Sequence, residues 1–166
     1  VQEIRGNVGT RLRKIRTQTE WTATVLALAG LRRLQIDIAA DGRLTGPDVP
    51  DGLIGRCLET DEMLPCVGQA AIGLEIPVDH SDAALVCAGL NDRDTWDCVT
   101  AERAFLRSMG GGCHSPVAAL GTVREDQVLL EAVWFDASKV SRAAGRRLRA
   151  DAEDLGQAIA RELKEG

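Results

Sequence analysis

Two strand-forming runs, "PVAALGTV" at residues 116–123 and "QVLLEAVWFD" at 127–136, meet at the short polar stretch "REDQ". Apolar and β-branched residues on both sides of so brief a polar turn predict an antiparallel hairpin. A lone hairpin is barely stable in water and needs a third strand or a helix to cover it. The neighbouring sequence offers both. "SKVSRAA" reads as a third strand, and "DAEDLGQAIAREL" as a helix with Ala152, Leu155, Ile159 and Leu163 on one face. Upstream, "NDRDTWDCVTAERAFLRSMGG" predicts a long helix capped by Asp92 or Asp94. Val99, Leu106 and Met109 form its apolar stripe and glycine ends it. Residues 90–166 are therefore expected to form an α+β unit, an antiparallel sheet with helices.

The first third is patterned differently. "VQEIRGN" reads as a strand end running into a turn, and Val8, Leu12 and Ile15 have helical spacing. "TATVLALAG" (22–30) is expected to be a buried strand of the parallel type, with a helix following. Strand, helix, strand, helix implies a partial α/β domain with a parallel sheet. Gly42, Gly46, Pro47, Pro50 and Gly52 mark 35–53 as a surface loop. "MLPCVGQAAIGLEI" (63–76) reads as a linker and a buried strand, followed by a short helix capped by Asp79 or Ser81.

The chain has 166 residues, 45% of them apolar, enough for one ordinary domain or two small ones. No run approaches the ~20 apolar residues of a membrane span. The five cysteines form no CxxC pair, so neither a disulfide framework nor a metal site is expected, and a reducing cytoplasm is the natural setting. The chain opens at Val1 without an initiator Met and stops at Gly166 just past a helix, so it is expected to be a piece of a longer protein. The net charge of −5 conceals a basic start: residues 1–34 hold seven Arg or Lys and two Glu, a sum of +5. That asymmetry favours a local anion site. Nucleic acid is a poor fit, because only 3% of residues are aromatic and no stacking platform is apparent.

Within the basic start, "IRGNVGTRL" places Arg5 beside Gly6 and Asn7, with Arg11 in the first turn of the predicted helix. Unpaired helix-start amides and two guanidinium groups suit carboxylates or phosphates. Arg33 is expected to leave the same sheet edge. Arg13, Lys14, Arg16 and Arg32 read as a solvated helix face. A second feature is "SMGGGCHSP" (108–116). Either it is a helix-ending turn with a buried thiol, or an adaptable glycine loop that presents Cys113 as a nucleophile.

"RGNVGTRLRKI", "VLALAGLRRL", "MLPCVGQAAIGLE", "LNDRDTWDCVTAERAFL" and "GGGCHSPVAAL" occur in this order. Together they resemble the second half of the porphobilinogen deaminase (hydroxymethylbilane synthase) family. That family has three domains, two of them periplasmic-binding-protein-like. The resemblance implies that residues 1–64 belong to the central α/β domain and that 65–89 form a hinge with a strand and helix returning to the first domain. Residues 90–166 then make the C-terminal α+β domain that carries the cofactor loop.

The implied activity is condensation of porphobilinogen units, with ammonia release, into hydroxymethylbilane. The chain grows on a dipyrromethane cofactor. By resemblance, Cys113 holds that cofactor covalently, Arg5, Gly6, Asn7 and Arg11 bind it, and Arg11 and Arg33 bind the carboxylates of substrate and growing oligopyrrole. Arg103 matches a retained helical arginine and reads as scaffold, with Glu102 as its structural partner. The family's catalytic aspartate lies in the N-terminal half, outside this sequence. The implied partner is therefore that missing half, with the complete protein a cytoplasmic monomer and the piece alone inactive. Departures such as "GQA" at 68–70 for Gly-Gln-Gly leave a non-catalytic anion-binding or interaction module as the alternative.

Overall fold

The computed structural model describes residues 2–112, 115–136 and 139–166. It divides into two compact units, Val1–Glu59 and Thr60–Gly166.

The first unit is small. Helix α1 (Val8–Thr17) and helix α2 (Leu28–Arg33) are joined by an irregular segment. Leu12 of α1, Leu31 of α2 and Ile36 are buried together, with Val8, Leu26, Leu44, Val49 and Leu53 packed around them. Strands β1 (Asp37–Ile38) and β2 (Leu44–Thr45) pair antiparallel within the stretch expected to be a plain loop, extended by a bridge from Arg43 to Ile54. Its many turn formers hid Ile36 and Leu53, which this small core uses.

Residues 2–6 and 22–27 form no ladder, contrary to the expected strands. Along Thr24–Ala27 exposure alternates residue by residue, and Val25 is 64% exposed. That is extended chain without the flanking strands a buried parallel strand requires. No parallel pair occurs among the described residues.

In the second unit, α3 (Ser81–Leu90) is capped by His80, whose Nδ1 accepts the Ala83 amide at 3.2 Å, rather than by Asp79 or Ser81. It buries no residue. The preceding apolar segment is likewise open, with Ile72 83% and Val78 fully exposed, so the expected buried strand at 63–76 does not form.

The main core lies downstream. Helix α4 (Arg93–Ser108) is capped by Asp92, whose Oδ1 accepts the Thr95 amide at 2.7 Å. Strands β3 (Val117–Arg124), β4 (Gln127–Phe135) and β5 (Val140–Leu148) form an antiparallel sheet in that order. A two-residue turn at Glu125–Asp126 sets the β3–β4 register, with Arg124 opposite Gln127. A 3₁₀ turn (Arg149–Asp151) leads into α5 (Ala152–Glu165).

One sheet face presents Ala119, Val128, Leu130, Ala132 and Ala143 to Ala101 and Phe105 of α4 and to Leu155, Ile159 and Leu163 of α5. Burial of an aromatic or aliphatic side chain of this kind stabilises by about 1.5–3 kcal/mol. The opposite face packs Ala118 and Val133 against Leu64. The buried stripe of α4 is Asp97, Ala101, Glu102, Ala104 and Phe105, not the expected Val99 and Leu106. Packing against both a sheet and a second helix rotates α4 toward its small residues.

Gly156 makes that packing close. A Cβ there would collide with the Ala101 carbonyl oxygen and lie 2.7 Å from the Phe105 amide nitrogen. At the other side of α4, a Cβ on Gly121 of β3 would lie 2.9 Å from the Cys98 Cα. Both obstacles are backbone and cannot rotate away.

An ionic group closes the end of this core. Arg149 Nε donates to Asp97 at 2.7 Å, Arg93 Nε donates to the same carboxylate at 3.0 Å, and Arg149 also pairs with Asp94. Burial pushes the Asp97 carboxyl up, but the bonds from Arg149 and Arg93 outweigh it and hold the group below the usual carboxylate range.

Gly156→Ala is expected to destabilise the protein by roughly 1–3 kcal/mol in urea unfolding; an unchanged midpoint would contradict the close approach. Because the Asp97 carboxyl is depressed in the folded state, its contribution is present above the unfolded value and fades as pH falls through the folded one. Asp97→Asn should therefore cost roughly 1.5–3 kcal/mol at neutral pH. Stability measured across pH should show the gap between variant and parent closing below about pH 4.

Candidate functional site

The turn that opens α1 gathers most of the residues singled out in the basic segment. Asn7 is the N-cap: its Oδ1 accepts the Thr10 amide at 2.8 Å and its carbonyl accepts the Arg11 amide at 3.0 Å. Gly6 has φ +126°, a value that side chains disfavour, and this turns its carbonyl to accept Arg11 Nε at 2.8 Å. Lys14, read from sequence as a solvated cation, donates Nζ to the Arg5 carbonyl at 3.0 Å. Two side-chain cations thus brace the backbone of the same turn. The signal was available, since Lys14 lies three residues after Arg11 and so on its side of the helix.

The Arg11 bond uses Nε, and its two terminal nitrogens have no protein partner among the described residues. Arg5 pairs with Glu3 through Nε at 3.0 Å and Nη2 at 3.2 Å, in the open, with the two side chains 82% and 69% exposed. An exposed pair of this kind contributes little and is readily exchanged for another anion. The first turn of α1 contains no acidic residue. Free helix-start amides, the open fork of the Arg11 guanidinium and the Lys14 ammonium beside this turn are groups that can hold carboxylates, and Arg5 is a further cation on a weak partner.

Arg33 is not part of this cluster by any contact. It lies exposed in the last turn of α2 beside Arg32, where a cation complements the helix C-terminus.

Cys113, and His114 after it, lie outside the described residues. Their flanks are well tied. Gly110 and Gly111 amides close α4 onto the Arg107 and Leu106 carbonyls at 2.9 and 3.1 Å. The Gly112 amide donates to Ser115 Oγ at 2.9 Å, and the Ser115 amide returns to the Gly112 carbonyl at 3.0 Å. Pro116 O accepts the Phe135 amide at 2.8 Å, which anchors the start of β3. Of the other cysteines, Cys98 is half-buried; burial, then the charges of Glu102, Asp94 and Asp97, push its thiol up to about 11. It is an inert thiol at neutral pH. Cys57 and Cys66 are exposed and Cys87 is half-buried.

Glu102 is not paired with Arg103. It is 6% exposed, its Oε1 accepts the Gly121 amide and its Oε2 the Gly68 amide, both at 2.7 Å. Burial pushes its carboxyl up, and the two amide bonds offset only part of that. The sequence carried a hint: Cys98, Ala101, Glu102 and Phe105 follow the i, i+3, i+4, i+7 spacing of a buried face.

Two family models match the chain. Residues 1–85 match "Porphobilinogen deaminase, dipyromethane cofactor binding domain", and residues 96–165 match "Porphobilinogen deaminase, C-terminal domain". Among similar curated proteins, the porphobilinogen deaminase of Roseiflexus sp. (strain RS-1) is 38% identical over 97% of this chain and 48% of its own length. That of Acetivibrio thermocellus is 34% identical over the whole of this chain and 51% of its own length. That of Bordetella parapertussis is 37% identical over 98% and 48%. The chain spans about half the length of these relatives.

Proposed function

Because the chain belongs to the porphobilinogen deaminase family, with its place in tetrapyrrole biosynthesis, we propose that it supplies the cofactor-holding part of an enzyme that condenses porphobilinogen into hydroxymethylbilane. The observation that carries this reading is the turn before α1, where Arg11 and Lys14 brace the Gly6 and Arg5 carbonyls at a helix start whose first turn has no acid, within the region that matches the cofactor-binding model.

A dipyrromethane fits that donor set. Each pyrrole carries acetate and propionate arms, and the turn offers guanidinium, ammonium and helix-start amides in the number such arms need. When bound, the cofactor supplies the nucleophilic pyrrole end on which the chain grows. Arg11 grips a carboxylate through the nitrogens that its Gly6 bond leaves free, and that bond fixes the guanidinium in advance. Arg5 exchanges Glu3 for a ligand carboxylate. Arg33 serves the substrate's arms. Cys113, between flanks tied by Gly112 and Ser115, would hold the cofactor through a thioether in which its sulfur takes the place of the amine on a pyrrole's methylene carbon, the amine leaving as ammonia. Proton handling falls to the catalytic aspartate of the family, which this chain lacks, so turnover requires the rest of the protein. In domain terms, residues 1–64 serve the central domain, 65–89 the hinge and the first domain, and 90–166 the third.

The complete protein provides the test. Cys113→Ala should lose cofactor attachment and all turnover. Arg11→Leu should weaken substrate or intermediate binding by about tenfold or more, as loss of a charge-assisted bond implies, while the fold stays intact by circular dichroism. Full activity in Cys113→Ala refutes the anchor assignment, and unaltered binding in Arg11→Leu refutes the role of the turn.

A further inference from the structure

Glu102 is a buried carboxylate that the proposed chemistry does not use, and its position is unusual. It projects from α4, the element that leads into the loop of Cys113. Through Oε1 it holds Gly121 in β3, the element that leaves that loop. Through Oε2 it holds Gly68, which lies 34 residues before it in the sequence. One side chain therefore joins three segments.

The third of these segments is the start of the linker to α3. It is fixed at few points. Leu64 is buried against Ala118 and Val133, the Pro65 carbonyl accepts the Ala119 amide at 3.1 Å, and Val67 packs on the main core. Gly68 is the last of these attachments. Beyond it, among the described residues, the turn bonds within itself, with the Gln69 amide on the Cys66 carbonyl, the Cys66 thiol on Gln69 Oε1 and the Ala71 amide on the Gly68 carbonyl. Ala70 there has φ +68°, a left-handed value costly to a residue with a Cβ. From Ile72 to Val78 the apolar side chains are exposed. The Glu102 bond thus marks the point where the fixed chain passes into the free one.

We infer that Glu102 is a positioning residue: its carboxylate pins the 66–69 turn to the C-terminal sheet and, by the same grip, fixes the separation of the two stems of the Cys113 loop. The inference stands on the hydrogen bonds alone and does not rest on the proposed activity. A carboxylate accepting two amides inside a protein forms bonds roughly twice as strong as neutral ones. Removing it leaves two amides without an acceptor in an enclosed place, a costly state that the turn escapes by opening.

Amide hydrogen exchange on the 166-residue chain, read residue by residue by NMR, tests this. Glu102→Gln keeps the side-chain volume but sets an NH2 group against one of the two amides. Exchange at Gly68, Gly121 or both should accelerate about tenfold or more, as loss of one charge-assisted bond implies. Val128 and Leu130 of β4 should keep their parent rates. Unchanged rates at both glycines overturn the inference. So does acceleration spread evenly over β4 and α5, which would make Glu102 a general stabiliser and not a pin. The unaltered chain gives a second reading that does not depend on a folded variant. The Gly68 and Gly121 amide resonances should move together with one midpoint as a single carboxyl titrates, and separate midpoints count against the shared grip. Cys98, one turn back on α4, has its thiol pushed up to about 11, and Asp97, also on α4, is held below the usual carboxylate range while Glu102 is raised above it, so the two carboxyls separate; β3 and the 66–69 turn present backbone amides to Glu102.

Discussion

The C-terminal unit depends on how near α4 can come to its neighbours. Gly156 admits the α4 backbone to α5, and Gly121 admits it to β3 at Cys98. With bulkier residues at either place, α4 would ride higher over the sheet. Ala101 and Phe105 would then lose their seats against Val128, Leu130 and Leu155. The same nearness brings the Glu102 carboxylate within hydrogen-bond reach of Gly121. Packing at native density and placement of a buried charge are here two results of one steric allowance. Arg149, bonded to Asp97 and Asp94, then fixes the end of α4 to the turn before α5.

The consequence for function is a matter of stems and loops. A loop that carries a large, lengthening ligand has to be adaptable at its tip and rigid at its base. In this chain α4 and β3, joined by Glu102, form such a base. In the other unit the arrangement is reversed. There the groups proposed to meet the ligand sit on a turn whose own backbone is braced by the cations, through Arg11 on Gly6 and Lys14 on Arg5. Such bracing places positive charge before any ligand arrives, which reduces the ordering cost of binding.

The second unit was largely legible in the sequence because its elements are local and amphipathic. The hairpin, the third strand and the α5 face of Ala152, Leu155, Ile159 and Leu163 follow from spacing alone, and of the two cap candidates, Asp92 and Asp94, the structure uses Asp92. Where a residue's role depends on distant chain, the sequence said less. The run at 22–30 has the composition of a buried parallel strand, but composition cannot supply the strands on either side. Ile36 and Leu53 joined a core from inside a stretch rich in Gly and Pro, whose turn signals concealed two useful apolar residues. Glu102 stands next to Arg103 in sequence, which suggests a pair, yet adjacent helical residues face different ways. At the turn before α1, the motif draws attention to Arg5, Gly6, Asn7 and Arg11, all of which the structure places in or beside the turn. Lys14 was missed because a lone lysine on a helix is usually solvated, and Arg33 shares no contact with the turn.

The account joins a family assignment to a chemical proposal: the sulfur at position 113 carries a dipyrromethane. Peptide mass mapping of the complete protein, purified without reductive or alkaline treatment, addresses that claim most directly. The peptide containing Cys113 should carry the added mass of two linked pyrroles with their acetate and propionate arms, while those containing Cys57, Cys66, Cys87 and Cys98 stay unmodified. A bare Cys113 in protein that turns over porphobilinogen would contradict it.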